Sequence, residues 1–107
     1  MRNYLTDPRL RVVIVEDEAP ARSKLNTQLA QVEGVEVVSE CADAPQAIQD
    51  INSLKPDLVL LDIELGELSG FDVLKAIKHP CHVIFTTAYS QYAVKAFEKQ
   101  ALDYLLK

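Results

Sequence analysis

The sequence predicts an α/β fold, a doubly wound sheet of five parallel strands, in a chain of 107 residues, which is the size of one domain. Two observations lead to this prediction. The short runs at residues 12–15 and 58–61 are apolar throughout, which is typical of strands buried on both faces of a parallel sheet. Segments with apolar residues at helical spacing alternate with such runs along the chain. The predicted order is therefore (βα)₄β, with right-handed crossovers that place helices on both faces.

The first third of the chain contains two predicted strands and the helix between them. Strand one covers residues 11–15. The first helix has an apolar stripe over residues 21–32 and ends at Gly34, a residue that tolerates the left-handed conformation common after helices. Strand two covers residues 35–38, and its partly alternating polarity is typical of the edge of a sheet.

The middle of the chain continues the alternation. Asp43 is placed to cap the second helix, and Pro56 ends that helix. Strand three covers residues 57–61. We expect a loop over residues 62–70, with Gly70 allowing the backbone to turn into the third helix.

The last third of the chain contains two further strands. Pro80 ends the third helix, and strand four covers residues 82–85. Ser90 is placed to cap a fourth helix. Strand five covers residues 102–106 and is the last strand of the (βα)₄β order.

The composition excludes several kinds of partner for this chain. Its net charge of −5 does not provide the basic surface that nucleic acids or anionic membranes require. No apolar run approaches the ~20 residues that span a bilayer, and residues 1–10 lack the apolar stretch of a signal peptide. Without a secretory signal, we expect Cys41 and Cys81, on strands two and four, to be reduced, buried and inert. We therefore predict a cytoplasmic protein with no membrane attachment.

Acidic residues follow two of the predicted strands. Glu16, Asp17 and Glu18 come directly after strand one, and Asp62 follows strand three. Ligands of open α/β sheets bind beyond the carboxyl ends of the strands, where three of these carboxylates would meet if the two strands are neighbours, with Glu18 pointing elsewhere. Carboxylates that lie this close to one another repel unless a cation or a proton is shared between them. An all-oxygen acidic cluster of this kind suits Mg²⁺.

These motifs, taken in order, resemble those of a known family. The acidic pair that closes strand one, Asp62, the Thr87-Ala88 pair after strand four and Lys107 after strand five have the order and spacing of the receiver domain of two-component response regulators. The segment over residues 96–107 is similar to the subgroup whose output is a LytTR-type (LytR/AlgR) DNA-binding domain. The resemblance implies a flavodoxin-like fold with sheet order 2-1-3-4-5.

The resemblance also implies a metal site and a phosphoacceptor. Asp62 would accept a phosphoryl group on a carboxylate oxygen. Asp17 would bind Mg²⁺ directly, and Glu16, where the family usually has Asp, would bind it through a metal-held water. The backbone carbonyl of Glu64 would complete the ligands that the protein supplies, and its side chain occupies a position that tunes hydrolysis of the phosphoryl group.

Three further residues match the family's switch. The hydroxyl of Thr87 would donate to a phosphoryl oxygen, and Lys107 would place its ammonium group against the same phosphoryl group. Tyr104 would turn inward when Thr87 moves, which makes it the aromatic switch residue. Thr86, one residue earlier, is expected to point to the face of the sheet opposite to that of Thr87 and to serve only as a β-branched residue of the strand.

The partners follow from the same resemblance. We expect a sensor histidine kinase as phosphoryl donor and an output domain, absent from this chain, that binds DNA and controls transcription. Residues 1–107 would then be a receiver domain that lacks the family's fifth helix. The domain would be a regulator and not an enzyme, although it would assist its own phosphorylation and dephosphorylation. Without that helix, apolar surface of the sheet would be exposed, which would favour a homodimer or an oligomer with swapped elements.

The sequence leaves three other functions open. A phosphatase of the haloacid-dehalogenase kind also uses an Asp nucleophile with Mg²⁺, but its motif has a second Asp where this chain has Glu64, and its general acid is absent. A flavodoxin-like cofactor binder would need phosphate-binding backbone donors after strand one, where this chain has acids. A receiver could also serve only as an unphosphorylated docking module. One departure from the receiver pattern is Leu65-Gly66 in place of the frequent Met-Pro, from which we expect a looser loop.

Overall fold

We describe the protein from a computed structural model, which covers residues 9–87 and 103–106 and, for residues 87 and 103–106, gives the backbone alone. In chain order its elements are β1 (Leu10–Val15), α1 (Ala19–Ala30), β2 (Val35–Cys41), α2 (Ala44–Leu54), β3 (Leu58–Asp62), β4 (Glu64–Leu65), β5 (Leu68–Ser69), α3 (Gly70–Ala76), β6 (His82–Thr87) and β7 (Asp103–Leu106). Within these ranges, no helix is long and apolar enough to cross a membrane.

Five of the strands form one parallel sheet in the order β2-β1-β3-β6-β7. Strands β6 and β7 are the predicted strands four and five, so the predicted flavodoxin-like order 2-1-3-4-5 is confirmed. The strand β2 lies at the edge that its partly polar sequence predicted. Because the chain leaves β1 for β2 on one side and continues to β3 on the other, the order reverses between β1 and β3, where open sheets of this class bind their ligands.

Alternate residues of the central strands pack into apolar clusters on opposite faces of the sheet. One cluster joins the sheet to α2 and α3 and includes Val13, Val15, Ile51, Leu61, Val73 and Phe85. The other joins the sheet to α1 and includes Val12, Ile14, Leu25, Leu29 and Leu60. The strands β1 and β3 are buried on both faces, as their uninterrupted apolar sequences predicted.

The helix α1 is shorter than its sequence pattern predicted. Leu25 and Leu29 pack against the sheet, but the helix ends at Ala30 with its cap at Gln31. Val32, the predicted last residue of the apolar stripe, is 49% exposed. Gly34 does not end the helix but takes a positive φ of 85° in the turn before β2. The apolar spacing therefore continued past the point where the chain turns back toward the sheet.

Side-chain hydrogen bonds fix both ends of α2. The predicted cap is confirmed, because the carboxylate of Asp43 accepts from the backbone N–H of Gln46 at 2.8 Å. Near the other end, the Asn52 side chain accepts from the backbone N–H of Lys78 at 2.8 Å and donates to the backbone carbonyl of Ala76 at 3.3 Å. Asn52 therefore ties α2 to the end of α3.

The segment after β3, predicted as an irregular loop, contains a short antiparallel hairpin. The strands β4 and β5 pair through Glu64 with Ser69 and Leu65 with Leu68. Gly66 takes a positive φ of 77° in the turn between them. Ser69 then begins α3 with a capping box, in which its hydroxyl accepts from the backbone N–H of Asp72 and the Asp72 carboxylate accepts from the backbone N–H of Ser69. Whether this segment is looser than its Met-Pro counterpart stays a prediction.

The two cysteines are free thiols in different surroundings. Cys41 ends β2 and is buried, and burial raises the pKa of its thiol to about 11. Cys81 is only half-buried and precedes β6 rather than lying on it, so the prediction of a fully buried strand residue was wrong. Burial also raises the pKa of the Cys81 thiol, which agrees with the expected low reactivity of both residues.

Candidate functional site

Three carboxylates meet at the carboxyl edge of the sheet. Glu16, Asp17 and Asp62 each place a carboxylate oxygen within 4.8 Å of the oxygens of the other two. Glu16 is 0% exposed and Asp62 is 5% exposed, whereas Asp17 faces solvent. Two acids of the cluster are therefore buried, and the third lies on the side that is open to solvent.

The pairing of β1 with β3 brings these residues together. Val15 lies beside Leu61 in the register of the two strands, so the residues that follow them, Glu16 and Asp62, emerge at the same edge. The backbone N–H of Glu16 donates to the carbonyl of Cys41 at 3.0 Å, which extends the pairing of β1 with β2 beyond Val15.

A contact from α1 fixes the corner between β1 and α1. The guanidinium of Arg22 donates from Nη1 to the backbone carbonyl of Glu16 at 2.8 Å. The sequence pattern does not single out Arg22, because an arginine near the start of a helix is typical of a solvent-facing surface. The contact orients the backbone immediately before Asp17, so Arg22 supports the geometry of the acidic cluster.

The electrostatics of the cluster are those of acids held too close together. Burial raises the pKa of Asp17, and its hydrogen bond with the Glu16 side chain and the charge of Glu16 raise it further. The backbone N–H of Glu18 donates to Oε2 of Glu16 at 3.2 Å, which relieves part of the negative charge. Glu18 itself lies outside the cluster of three carboxylates. Carboxylates this close to one another repel, and a bound cation would offset that repulsion.

The donor set fits Mg²⁺. All of the clustered ligand atoms are carboxylate oxygens, the hard donors that this ion prefers, and the set contains no imidazole or thiolate. The exposed position of Asp17 leaves one side of the cluster open to water, which suits an ion that retains several waters. An open cleft beside the cluster is lined by residues that include Asp17, Ile63, Glu64, Ser69 and Phe71.

The end of β3 is held by close backbone packing. The backbone N–H of Glu64 lies 3.4 Å from Oδ1 of Asp62. Gly70 packs so tightly against this turn that a Cβ atom there would lie 2.5 Å from the backbone oxygen of Asp62. Gly70 is the first residue of α3, at the turn into the helix where the sequence placed it, and its φ is not positive. Glycine is required at this position because the α3 backbone directly contacts the backbone of Asp62.

The remaining predicted site residues lie at or beyond the limits of the described structure. The backbone of Thr87 ends β6 and pairs with Leu106 of β7, but the side chains of Thr87 and Tyr104 lie outside the described residues, as does Lys107. Their predicted roles stay predictions. Thr86 is described in full: it is 1% exposed, and its hydroxyl has no hydrogen-bond partner.

Comparisons with known proteins agree with this arrangement. Residues 12–107 match the family model of the response regulator receiver domain. Over 100 residues the chain is 45% identical to an uncharacterized response regulatory protein of Yersinia pestis and 41% identical to the transcriptional regulatory protein BtsR of Salmonella typhi. It is 43% identical over 101 residues to the sensory transduction protein LytT of Bacillus anthracis. These matches cover 92% of this chain but only 41% to 42% of the relatives' length.

Solved structures show the same fold. The response regulator domain of Thermotoga maritima CheB superposes with a TM-score of 0.85 at 30% identity, covering 92% of this chain and 78% of that one. The response regulatory domain of mrkE from Klebsiella pneumoniae gives 0.82 at 32% identity, covering 92% and 83%. The likeness to LytT and BtsR confirms the predicted LytTR-type subgroup. The sheet order, the acidic cluster and the match over residues 12–107 together show that this chain belongs to the response regulator receiver domain family.

Proposed function

We propose that this receiver is switched by phosphorylation of Asp62, with a sensor histidine kinase as donor and Mg²⁺ as the required cofactor. The observation that carries the proposal is the meeting of Asp62 with Glu16 and Asp17 at the carboxyl edge of the sheet. Phosphoryl transfer requires little covalent chemistry from the protein, so a nucleophile and a means of neutralising charge at one point are the essential parts.

The reacting atom would be a carboxylate oxygen of Asp62. It forms a bond to phosphorus while the bond from phosphorus to the donor breaks, and the donor leaves with that electron pair. The backbone N–H of Glu64 lies within hydrogen-bonding distance of Oδ1 and favours one orientation of the carboxylate. The packing of Gly70 against the backbone of Asp62 restricts movement of the turn that carries the nucleophile.

The metal would be held by the carboxylates of Glu16, Asp17 and Asp62 and by the backbone carbonyl of Glu64. When bound, Mg²⁺ supplies positive charge that offsets the negative charge of the carboxylates and the transferred group. Asp17 is the candidate for direct coordination because it is exposed to solvent at the open side of the cluster. The buried carboxylate of Glu16 already accepts from the backbone N–H of Glu18, which supports a role through a bound water.

The switch would use residues of β6 and β7 and the residue that follows β7. Thr87 and Lys107 are proposed to bind the phosphoryl group, and Tyr104 to change its packing in response. The support is their order and spacing in the sequence and the backbone pairing of β6 with β7, which brings these two strand ends side by side.

The output would be transcriptional. BtsR is named a transcriptional regulatory protein and LytT a sensory transduction protein, and this chain matches less than half the length of each. We propose that residues 1–107 act as a cytoplasmic receiver domain that controls a LytTR-type DNA-binding domain and is not itself an enzyme with a separate substrate. A homodimer or a swapped oligomer would provide the coupling between receivers.

Intact-mass spectrometry tests the proposal. We expect wild-type protein incubated with acetyl phosphate and Mg²⁺ to gain one phosphoryl group, and Asp62→Ala to gain none. Glu18→Gln is the matched control, because it removes a neighbouring acid that lies outside the carboxylate cluster, and it should still gain the group. An adduct that persists in Asp62→Ala would contradict the assignment of the nucleophile. Absence of an adduct on the wild-type protein would favour an unphosphorylated docking module.

A further inference from the structure

Thr86 belongs to a row of buried polar side chains. Among the described residues, the buried polar or charged positions are Glu16, Asp62 and Thr86, and the rest of the interior is apolar. Thr86 lies directly beside Asp62 in the register of β3 and β6. The row therefore crosses three adjacent strands at the carboxyl edge of the sheet, with the proposed phosphoacceptor at its centre.

The alternation of the strands places the side chain of Thr86 on the same face as that of Asp62. Leu60 and Ile84, two residues earlier on each strand, both pack on the face covered by α1. Leu61 and Phe85 pack on the opposite face. Since side chains alternate along a strand, Asp62 and Thr86 share the α1 face, on strands that are about 4.8 Å apart.

The hydroxyl of Thr86 has no hydrogen-bond partner, although the residue is only 1% exposed. A buried unsatisfied hydroxyl costs stability, and valine would fill the same volume without that cost. Unsatisfied buried groups are rare, and one beside a reactive centre requires an explanation. A donor that lacks a partner at rest and gains one when new oxygens arrive would favour the reacting state over the resting state.

We propose that the Thr86 hydroxyl is a second donor to the phosphoryl group on Asp62, additional to Thr87. This inference rests on the proposed phosphorylation of Asp62. As an Asp62 oxygen bonds to phosphorus and the leaving acetate takes the electron pair of the breaking phosphorus–oxygen bond, negative charge arrives on the phosphoryl oxygens beside Thr86. The hydroxyl donates a hydrogen bond to one of these oxygens and keeps its proton, so it stabilises the charge without entering the proton balance.

Two substitutions separate this role from a structural one. Thr86→Val removes the hydroxyl and keeps the shape, whereas Thr86→Ser keeps the hydroxyl and removes a methyl group. We expect Thr86→Val to take up the phosphoryl group from acetyl phosphate roughly ten-fold more slowly than the wild type, because it loses a hydrogen bond to a charged group. Thr86→Ser should remain within about two-fold of the wild-type rate. In urea, unphosphorylated Thr86→Val should be at least as stable as the wild type, so its slower reaction could not be attributed to misfolding.

A wild-type rate of phosphorylation in Thr86→Val would overturn the inference, as would equal slowing in Thr86→Ser. If the valine variant does not fold, the pair Thr86→Ser and Thr86→Ala decides the question, since both lack the methyl group and only serine retains the hydroxyl. Slower reaction of the alanine variant alone would then support the inference, and equal rates would overturn it. A wild-type protein that takes up no phosphoryl group would instead refute the proposed function on which the inference depends.

Discussion

Gly70 offers a direct way to perturb the site through the backbone. A Cβ atom at this position would lie 2.5 Å from the backbone oxygen of Asp62 and 3.1 Å from both Cα of Ile63 and Cε1 of Phe85. Side-chain Cβ atoms essentially never approach within 3.0 Å, so the first contact must lengthen by at least about 0.5 Å. The backbone cannot retreat easily, because Asp62 ends a central strand and the N–H of Gly70 donates to the carbonyl of Ile63 at 2.7 Å.

We therefore expect Gly70→Ala to destabilise the protein. Overpacking of this kind costs about 1 to 3 kcal/mol, and the better helix propensity of alanine returns at most about 1 kcal/mol. Because the atom contacted belongs to the backbone and cannot move aside easily, the cost should lie near the upper end of that range, and the net loss should be about 2 kcal/mol in the free energy of unfolding, measured by urea titration with far-UV circular dichroism. Because the displaced atom belongs to Asp62, phosphorylation from acetyl phosphate should also slow.

Gly66→Ala is the matched control. Gly66 has a positive φ of 77° and no neighbouring atom that would contact a Cβ within 4 Å. Its substitution should cost about 1 to 2 kcal/mol through the left-handed backbone alone, a loss similar to that of Gly70→Ala, and should leave the rate of phosphorylation close to wild type. A Gly70→Ala protein that is as stable and as reactive as the wild type would refute the reasoning that backbone contact fixes the turn after β3.

Three further predictions concern the scaffold. Asp43→Ala should lower the free energy of unfolding by about 1 kcal/mol, measured in urea, because the N–H of Gln46 loses its acceptor; an unchanged value would contradict the cap. Asn52→Ala should cost about 1 to 2 kcal/mol in the same assay, since the N–H of Lys78 loses its acceptor and α2 loses its link to α3, and a neutral result would show that this link is not needed. The thiol of Cys41 has a pKa of about 11, raised by burial from 9.0, so the folded state retains a proton that the unfolded state loses above about pH 9. Unfolding free energy should therefore fall more steeply between pH 9 and 11 in the wild type than in Cys41→Ala, and identical slopes would exclude this contribution.

Much of the fold is readable from the sequence because it depends on local patterns. The uninterrupted apolar residues of β1 and β3 predict strands that are buried on both faces, and both clusters of the core include residues from these strands. Asp43 was predicted as a cap because its short carboxylate can reach the first free N–H groups of a helix. The meeting of Asp17 with Asp62 followed from the rule that ligands bind at the carboxyl edge of parallel sheets.

The errors arise where contacts between distant segments decide the outcome. The apolar pattern extended α1 to Val32, but the return of the chain to the sheet ends the helix earlier. The sequence did not show whether Gly70 is needed for a positive φ or for close packing. The two differ only in how closely α3 approaches β3, which depends on distant segments. The capping box of Ser69 with Asp72 has a readable sequence signature, Ser-x-x-Asp, whereas the contact of Arg22 with Glu16 has none.

Isothermal titration calorimetry with MgCl₂ tests most directly whether the clustered acids share one divalent cation. The wild-type protein should bind one Mg²⁺ per chain, and Asp17→Asn should weaken that binding by at least about ten-fold. Glu18→Gln removes the same charge from the adjacent residue, outside the cluster, and should bind nearly as the wild type does. A wild-type protein that does not bind Mg²⁺, or equal losses in the two variants, would contradict the account.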